Sequence, residues 1–435
     1  MNWQSLITTR RLGLEDYHST HTEIRSEFER DYDRIIFSAP FRRLQNKTQV
    51  FPLPESIFVH NRLTHSLEVS SVGRSLTHRI VVAKQSSASS FPATIPEIVQ
   101  AACLAHDLGN PPFGHSGELA IATFFSEGAG TALQQEMSVE QWADLTHFDG
   151  NANAFRMLTH RFVGRRDGGF VLTYPTLASI VKYPYAAQYC PKGKQKFGFF
   201  TQDKELYERI ASYLDIPYSA DNNCYARYPL VYLVEAADDI CYQVMDLEDA
   251  CKLSILPFSE VQALFLAFFS EERRERCLQH CAQLADTNEQ LAYLRSCVIG
   301  ALVDGCADIF ISNEQAIMAG EAVPALIKQL PEPLNSAYKR CSRVAVEKVY
   351  RSRIVLDIEL AGYKVITALL EHYTEAVMHP DKAYSSKLLD RVPSQYDVRA
   401  DDVYGRVMAV CDFLSGMTDV YALDLYRMIQ GIDIR

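Results

Sequence analysis

The amino-acid sequence predicts an all-α protein that contains at most a small β-hairpin. Apolar residues recur every three to four positions over long stretches, a spacing that places them on one face of a helix. Strand-like alternation is scarce, and the candidate hairpin joins residues 170–172 to residues 197–200. With 48% hydrophobic and 22% charged residues, the 435-residue chain has the composition of an ordinary globular protein.

The predicted helices follow one another along the chain. The first long helix covers residues 62–84, and the second covers residues 98–107, where Gly-Asn-Pro-Pro at 109–112 ends it. Pro229 starts a third helix, which we expect to run to residue 250. The later helices are predicted at 258–284, 286–303, 335–349, 354–378 and 400–432.

Two predicted loops interrupt these helices, but neither has the character of a domain linker. They cover the serine-rich residues 85–96 and residues 215–228. The sequence contains no internal repeat and no low-complexity segment. We therefore expect a helical core over residues 1–255 and a helical extension over residues 256–435, packed together as one continuous unit.

Charge, cysteine content and hydropathy disfavour several classes of protein. The net charge of −11 argues against a broad electrostatic contact with duplex nucleic acid. The 11 cysteines are scattered without a Cys-x-x-Cys pair, as expected of buried thiols in a reducing compartment. The first residues show no secretory signal, and apolar stretches such as 263–269 are too short to span a membrane. We expect a cytoplasmic protein.

His106 and Asp107 stand next to each other at the end of a predicted apolar helix. Adjacent helical residues point about 100° apart, but a loosened last turn lets both side chains reach one ion. Taken alone, the pair can equally be an exposed dipeptide in which the imidazole complements the helix dipole.

Residues on two other helices favour a metal site. Asp238 shares a helical stripe with apolar residues, and a lone charge facing the core is costly unless it is paired or bound to a cation. Its neighbour Asp239 points elsewhere and is expected to be an ordinary solvated acid. His65 lies between Arg62 and Glu68 on a polar stripe. Imidazoles and carboxylates without cysteine suit Mg, Mn or another first-row transition metal better than structural zinc. The predicted ligands of this divalent ion are His65, His106, Asp107 and Asp238, and hydrolysis is the chemistry that such a site supports.

His115 and Glu118 form a second candidate pair, three positions apart at the start of the next predicted helix. A histidine backed by a carboxylate is a common general acid or base near neutral pH. The alternative is that Ser116 caps the helix and that Glu118 merely decorates its start. The glycines at positions 114 and 117 do not match a nucleophile elbow around Ser116.

Basic side chains near these candidates can hold a phosphate chain. Arginine and lysine bind phosphates through charge-assisted hydrogen bonds, although each one alone is more often a solvated surface charge. The candidates are Arg42, Arg43, Lys47, Arg62, Lys182, Lys192, Lys194 and Lys196. The sequence contains no Walker A motif and no Gly-x-Gly-x-x-Gly fingerprint.

The order of the predicted ligands resembles the H…HD…D pattern of the HD superfamily. Longer segments are similar to bacterial deoxyguanosine triphosphate triphosphohydrolases (dGTPases). These segments are 25–37, 41–52, 64–69, 105–115, 235–240 with Tyr242, and 415–419. Because they extend over almost the whole chain, the resemblance implies an HD-domain helical bundle with a C-terminal helical extension.

The resemblance also implies an activity, the hydrolysis of dGTP to deoxyguanosine and intact inorganic triphosphate. Water then attacks the α-phosphorus. By the same likeness, His115 and Glu118 are the catalytic pair, and Tyr242 packs against the sugar, where the alternative is a plain core tyrosine. Gln49 and Val50 match positions that contact guanine, and a glutamine amide can both donate and accept. The further substrate-binding candidates are Arg62, Lys182, Tyr185 and Glu359.

Several alternatives remain open at this level. Asp149 and Asn153 stand where the resemblance suggests Glu and Gln. A broader, nucleotide-activated dNTP triphosphohydrolase is the second hypothesis. A cyclic-nucleotide or (p)ppGpp phosphohydrolase fits the ligands but not the segments 25–52 and 411–419. A non-catalytic nucleotide sensor is disfavoured because the candidate catalytic residues are intact. We expect a homo-oligomer, with a hexamer favoured, and single-stranded DNA is a further partner with weaker support.

Overall fold

The helical periodicity of the sequence is realised along most of the chain. The computed structural model describes residues 1–16, 25–51, 59–85, 91–191 and 193–433. Its α-helices are α1 (Trp3–Leu6), α2 (Glu27–Ile36), α3 (Ala39–Arg43), α4 (Arg62–Gln85), α5 (Ile95–Ala105), α6 (His115–Ser126), α7 (Val139–Thr146), α8 (Gly150–Thr159), α9 (Tyr174–Ile180), α10 (Lys204–Tyr213), α11 (Val231–Lys252), α12 (Phe258–Leu266), α13 (Glu271–Cys281), α14 (Thr287–Ala319), α15 (Leu334–Val344), α16 (Arg353–Met378), α17 (Ala383–Leu389), α18 (Val403–Ser415) and α19 (Asp419–Ile429).

Shorter elements connect these helices. Two strands, β1 (Tyr218–Ser219) and β2 (Cys224–Tyr225), form an antiparallel hairpin. The 3₁₀ segments are Leu44–Asn46, Ala129–Glu136, Ala187–Tyr189, Thr201–Asp203 and Leu326–Gln329, and Ala345–Val349 forms a π-helical segment. The predicted all-α class with at most a small hairpin is confirmed.

The predicted position of the hairpin is wrong. Val171 adopts a left-handed conformation with φ of 57°, so residues 170–172 form a turn instead of a strand. Phe199, in the other predicted strand, makes an isolated bridge to Ala186. The hairpin that exists lies inside the predicted loop 215–228, and that loop is where Asn223 takes a positive φ of 47° in the turn.

Helix boundaries differ from prediction where single residues start or end a helix. The segment 258–284 forms α12 and α13, because Ser270 adopts an extended conformation before the second helix. The segment 400–432 forms α18 and α19, because Thr418 accepts a hydrogen bond from the Tyr421 amide and starts a new helix. Of the predicted loop 85–96, residues 86–90 lie outside the described residues.

The helices pack into two hydrophobic clusters, and the candidate site residues lie on helices of both. In the first, α4 packs against α5, α11 and α14, and fully buried Val69, Ile98 and Ala237 lie in its interior. In the second, α16 packs against α6, α17 and α18. The C-terminal helix α16 therefore lies directly against the helix that begins at His115. The division of the chain at residue 255 stays a prediction.

Among the described residues, no helix combines the length and the apolar character that crossing a bilayer requires.

Candidate metal centre

The His106-Asp107 pair lies at the C-terminal end of α5, where the helix loosens into a turn. His106 is the C-cap residue, and its Nδ1 donates to the Cys103 carbonyl oxygen at 2.7 Å. This hydrogen bond fixes the imidazole and leaves Nε2 as the atom available to a metal. The Asn110 amide donates to Asp107 Oδ1 from within the same turn. The adjacent His106 and Asp107 side chains thus lie at the same site, and their role as metal ligands stays a prediction.

The structure brings together the four predicted ligands from α4, α5 and α11. Ligand atoms of His65, His106 and Asp107 all lie within 4.8 Å of one another. Asp238 Oδ1 lies 3.1 Å from His65 Nε2 and 3.5 Å from His106 Nε2. The side chain of His65 is only 2% exposed, while that of Asp238 is 32% exposed. The cluster is thus buried on one side and open on the other.

Mutual attraction sets the protonation of the cluster. Burial disfavours the charged form of Asp238, but His106 and His65 outweigh it and hold the Asp238 pKa well below its usual range. Burial acts in the same way on Asp107, where the Arg62 guanidinium, 2.7 Å away, lowers the pKa. Burial opposes protonation of His106, yet the two carboxylates raise its pKa to about 9. Ligation requires the neutral imidazole, so metal binding by this set would release a proton.

An unsatisfied atom shows that this donor set fits a metal ion. His106 Nε2 is buried and has no hydrogen-bond partner among the described residues. It lies 3.7 Å from Asp107 Oδ1 and 3.5 Å from Asp238 Oδ1, so this nitrogen and two carboxylates converge as metal ligands do. Two imidazole nitrogens and two carboxylates, without thiolates, suit a divalent ion such as Mg²⁺, Mn²⁺ or another first-row transition metal.

The second predicted pair, His115 and Glu118, lies in the first turn of α6. His115 Nδ1 is 2.8 Å from Glu118 Oε2, and the His115 side chain is 83% exposed. Glu118 Oε1 accepts from the Gly150 amide at 2.8 Å, and Lys196 lies 3.4 Å from Oε2 and 2.8 Å from Asp149. Burial raises the pKa of Glu118, but the hydrogen bond from His115 and the positive charge of Lys196 outweigh this effect and lower the pKa. A buried, ionised carboxylate therefore orients an accessible imidazole.

The turn between the two pairs requires glycine. Gly114 is the N-cap of α6 with φ of 57°, and an added Cβ would lie 2.5 Å from Arg62 Nη2. Phe113, which precedes it, also has a positive φ of 63°. Ser116 does not cap α6, because its hydroxyl donates to the Glu359 carbonyl oxygen of α16 at 2.5 Å.

The predicted base- and sugar-contacting residues lie at different depths. Gln49 is partly buried, and its Oε1 has no hydrogen-bond partner among the described residues, while Val50 packs against the core. Tyr242 is 37% exposed, and its ring stacks on Tyr350 with centroids 5.8 Å apart. The side chain of Glu359 is exposed.

The predicted phosphate-binding cations differ in their existing partners. Burial lowers the pKa of Lys182, but Glu235, 3.2 Å away, outweighs this effect and raises it. The ring of Tyr185 lies 6.4 Å from that of Tyr183, the neighbour of Lys182. Lys47 is fully enclosed, and burial lowers its pKa to about 7. Arg42 and Lys194 are exposed, Arg43 is partly buried, and Lys192 lies outside the described residues.

Known proteins and family models match this chain. The model of the HD domain matches residues 62–180, and that of a phosphohydrolase-associated domain matches residues 329–428. A deoxyguanosinetriphosphate triphosphohydrolase-like protein of Pseudomonas aeruginosa (strain UCBPP-PA14) is 38% identical, with 99% of both chains covered. A protein of the same name from Synechocystis is 35% identical over the whole of both chains.

The chain belongs to the deoxyguanosinetriphosphate triphosphohydrolase family of HD-domain proteins. A deoxyguanosinetriphosphate triphosphohydrolase of Yersinia enterocolitica is 28% identical over 99% of both chains. Membership makes the chain a phosphohydrolase, and its HD domain implies a divalent metal. The HD match contains His65, His106 and Asp107, and α11 supplies Asp238 from outside it.

The structure adds residues that sequence reasoning missed. Asp246 accepts a hydrogen bond from the Tyr350 hydroxyl at 2.6 Å, and burial raises the Asp246 pKa to about 8. It lies two turns beyond Asp238 on α11, so the helical spacing could have identified it. Tyr350 follows the π-helical segment, and no sequence pattern indicated its position.

The prediction that Asp239 is an ordinary solvated acid is wrong. Burial raises its pKa to about 7, because α11 is surrounded by other helices on more than one face. Asp149 and Asn153, which depart from the expected Glu and Gln, have defined partners. Asp149 caps α8, and the Asn153 amide donates to the Gly109 carbonyl oxygen at 2.7 Å.

Proposed function

We propose that this protein hydrolyses dGTP to deoxyguanosine and inorganic triphosphate at a divalent metal held by His65, His106, Asp107 and Asp238. The observation that carries the proposal is the unsatisfied His106 Nε2 in a cluster that stands next to an accessible histidine–carboxylate pair. The family relationship supports it, because relatives named for this reaction cover the whole chain.

The ligand cluster and Arg62 would receive the phosphate chain. When bound, a divalent cation supplies Lewis-acid polarisation of a phosphoryl oxygen. The Arg62 guanidinium, which pairs with Asp107 at 2.7 Å, would add positive charge beside the candidate ligands for an anionic substrate. Lys182 would add positive charge from the other side of the site, balanced by Glu235 until substrate binds.

His115 is proposed as the general acid or base. Its Nδ1 is held by Glu118, so Nε2 remains for proton transfer at the reacting phosphate or at the leaving 5′-oxygen. The Glu118 carboxylate orients the imidazole, and Lys196 with the Gly150 amide keeps Glu118 in place. The 83% exposure of His115 leaves room for substrate against its ring.

Base and sugar recognition is assigned to the loop after α3 and to α11. The free Gln49 Oε1 would accept from the N1–H or N2–H₂ groups of guanine, which carry two adjacent donors on one edge. Tyr242 would pack on the deoxyribose, with Tyr350 behind it and with Asp246 holding the Tyr350 hydroxyl. Tyr185 and Glu359 are proposed to complete the pocket.

A broader dNTP triphosphohydrolase, with one nucleotide activating the hydrolysis of others, is the second candidate. One amide discriminates between bases by about 1–3 kcal/mol, and Val50 offers apolar contact to any base. Such discrimination leaves the other dNTPs as slower substrates. Cytoplasmic location and a homo-oligomer, with a hexamer favoured, stay predictions.

The test is an assay of the purified protein with each of the four dNTPs and Mg²⁺ or Mn²⁺, with products resolved by chromatography. We expect tripolyphosphate and deoxyguanosine from dGTP. Pyrophosphate with dGMP would contradict the site of attack, and equal rates on all four nucleotides would contradict the specificity. In the same assay, His115→Ala should abolish turnover at unchanged metal content, and His379→Ala, on an exposed histidine after α16, should have no effect.

A further inference from the structure

The C-terminal segment 415–419 is tied to the turn that connects the metal centre to His115. The Lys47 ammonium donates to the carbonyl oxygens of Asn110 at 2.6 Å and Ser415 at 2.7 Å. The lysine side chain is 2% exposed, so this contact is sheltered from water. Three segments distant in sequence, around residues 47, 110 and 415, are thereby joined at one point.

Asp419, the first residue of α19, makes a second connection between the same segments. Its Oδ2 accepts from the Thr48 amide at 2.7 Å, and its Oδ1 accepts from the Phe113 amide at 2.9 Å. One carboxylate thus holds the backbone next to Gln49 and the backbone two residues before His115. Asp419 is only 8% exposed, so the two amides that it binds are sheltered from water. If the carboxylate is lost, these N–H groups therefore have little water to bind in its place.

The backbone that Asp419 holds is strained. Phe113 adopts the left-handed region with φ of 63°, which a residue with a side chain rarely does. Such conformations persist only where the surroundings over-determine them, and they cluster at functional sites. Helix α16 supplies the other restraint, because a Cβ at Gly362 would lie 2.5 Å from the Phe113 side chain. Helices α16 and α19 therefore both contact Phe113 and hold it in its strained conformation.

We propose that Asp419 is a positioning residue that holds Gln49 and His115 in place relative to the metal centre, so that base recognition and proton transfer both depend on this one carboxylate. This inference rests on the proposed function. Without the two hydrogen bonds, Phe113 relaxes toward an unstrained conformation and His115 moves with it. Thr48 loses its anchor at the same time, which displaces Gln49. The four metal ligands have no contact with Asp419 among their described hydrogen bonds, so metal binding persists.

The test compares Asp419→Asn with two controls on the same helix. Asparagine offers one acceptor oxygen and places its amide donor against the second backbone N–H. Thr418→Ala removes the N-cap bond to the Tyr421 amide and weakens α19 without touching the turn. Asp424→Asn removes an equivalent charge from the exposed face of α19. Asp419→Glu keeps both acceptor oxygens but moves them by one methylene, so it should show the same changes at smaller size, and it replaces Asp419→Asn if that variant does not fold.

The measurements are kcat and KM for dGTP and dATP, metal content, and amide hydrogen exchange of the peptides 44–51 and 107–118. A misplacement of about 1 Å costs up to about a hundredfold in rate, so we expect Asp419→Asn to lower kcat about a hundredfold. It should also reduce the preference for dGTP about tenfold, and speed exchange in both peptides at unchanged metal content. The controls should match the wild type in all of these.

Two outcomes would overturn the inference. One is a loss of kcat in Asp419→Asn no greater than that in Thr418→Ala at equal loss of thermal stability, with base preference unchanged. The other is unchanged exchange in residues 107–118. If the wild-type protein releases no tripolyphosphate, the proposed function fails instead, and the exchange measurement still decides whether Asp419 holds the turn.

Discussion

Two buried clusters of charge in this protein differ in how their charges are satisfied. In one, Arg156 donates from Nε and Nη2 to the two oxygens of Asp412, each at 2.8 Å, while Asp203 lies 3.3 Å from Nη1. All three residues are at most 7% exposed. In the other, His106 Nε2 lies 3.5 Å from Asp238 Oδ1 but has no hydrogen-bond partner among the described residues, and the Asp238 side chain is 32% exposed.

The difference separates structural charge from a ligand site. The Arg156 cluster is closed, because the guanidinium pairs with both oxygens of Asp412 and also contacts Asp203. The candidate metal centre is more open, because the Asp238 side chain is partly exposed and His106 Nε2 lacks a hydrogen bond among the described residues, although His65 Nε2 lies 3.1 Å from Asp238 Oδ1. Burial of charge alone therefore does not identify a functional site in this fold. Donor atoms that converge from several helices and include an unsatisfied one make a stronger candidate.

The largest expected effect comes from removing one of the candidate metal ligands. Asp238→Ala removes a ligand and the partner of both imidazoles, and Lewis-acid stabilisation is worth several kcal/mol. We expect tripolyphosphate release to fall at least about a thousandfold, with loss of bound metal by atomic emission. Full metal content in Asp238→Ala would contradict its role as a ligand.

The second prediction breaks the closed cluster. Arg156→Met leaves Asp203 and Asp412 buried without a counter-charge, which costs about 3–5 kcal/mol of unfolding free energy. Urea denaturation measures this loss, and metal content per folded chain should equal that of the wild type. Replacing all three residues with apolar ones should recover most of the stability. A single variant as stable as the wild type would show that the cluster is not closed in this sense.

The third prediction concerns His60, whose two ring nitrogens face Asp249 at 2.8 Å and Glu68 at 3.2 Å. Burial opposes protonation, but these carboxylates raise its pKa to about 10 from 6.5. A raised pKa stabilises the fold fully below pH 6.5, and this contribution is lost as the pH rises through about 10.

We therefore expect the stability advantage of the wild type over His60→Gln to fall by about 1.4 kcal/mol per pH unit between pH 7 and 9. Urea denaturation at pH 7, 8 and 9 measures it. The lowered pKa of Lys47 acts with the opposite sign in this range, and the comparison with the variant subtracts it. A difference that does not change with pH would show that His60 is neutral in the fold.

The smallest expected effect tests whether a second unsatisfied atom marks a ligand position. Gln49→Leu should lower the ratio of kcat/KM for dGTP to that for dATP by about 1–3 kcal/mol, or roughly 5- to 150-fold. Metal content and thermal stability should not change. Gln45→Leu, on an exposed glutamine of the preceding 3₁₀ segment, is the matched control. An unchanged ratio would assign base recognition elsewhere.

Much of the architecture could be predicted from the sequence because helix periodicity and end signals are local. The helix predicted at 62–84 is α4, and the helix predicted to end near His106 and Asp107 is α5, which ends at Ala105. The hairpin was misplaced because short apolar runs at 170–172 and 197–200 occur equally in buried turns. A left-handed Val171 is invisible to periodicity.

The sequence by itself determined the all-α class, the identity of the candidate ligands and the pairing of His115 with Glu118. Each of these depends on residue type and on spacing within one helix. Only the tertiary structure decided which buried charges are fully paired with one another and which converge on the candidate metal site. It also decided that Tyr350 lies behind Tyr242 and that Asp419 reaches Thr48 and Phe113. These contacts join residues more than a hundred positions apart, and no local periodicity encodes which distant segments meet.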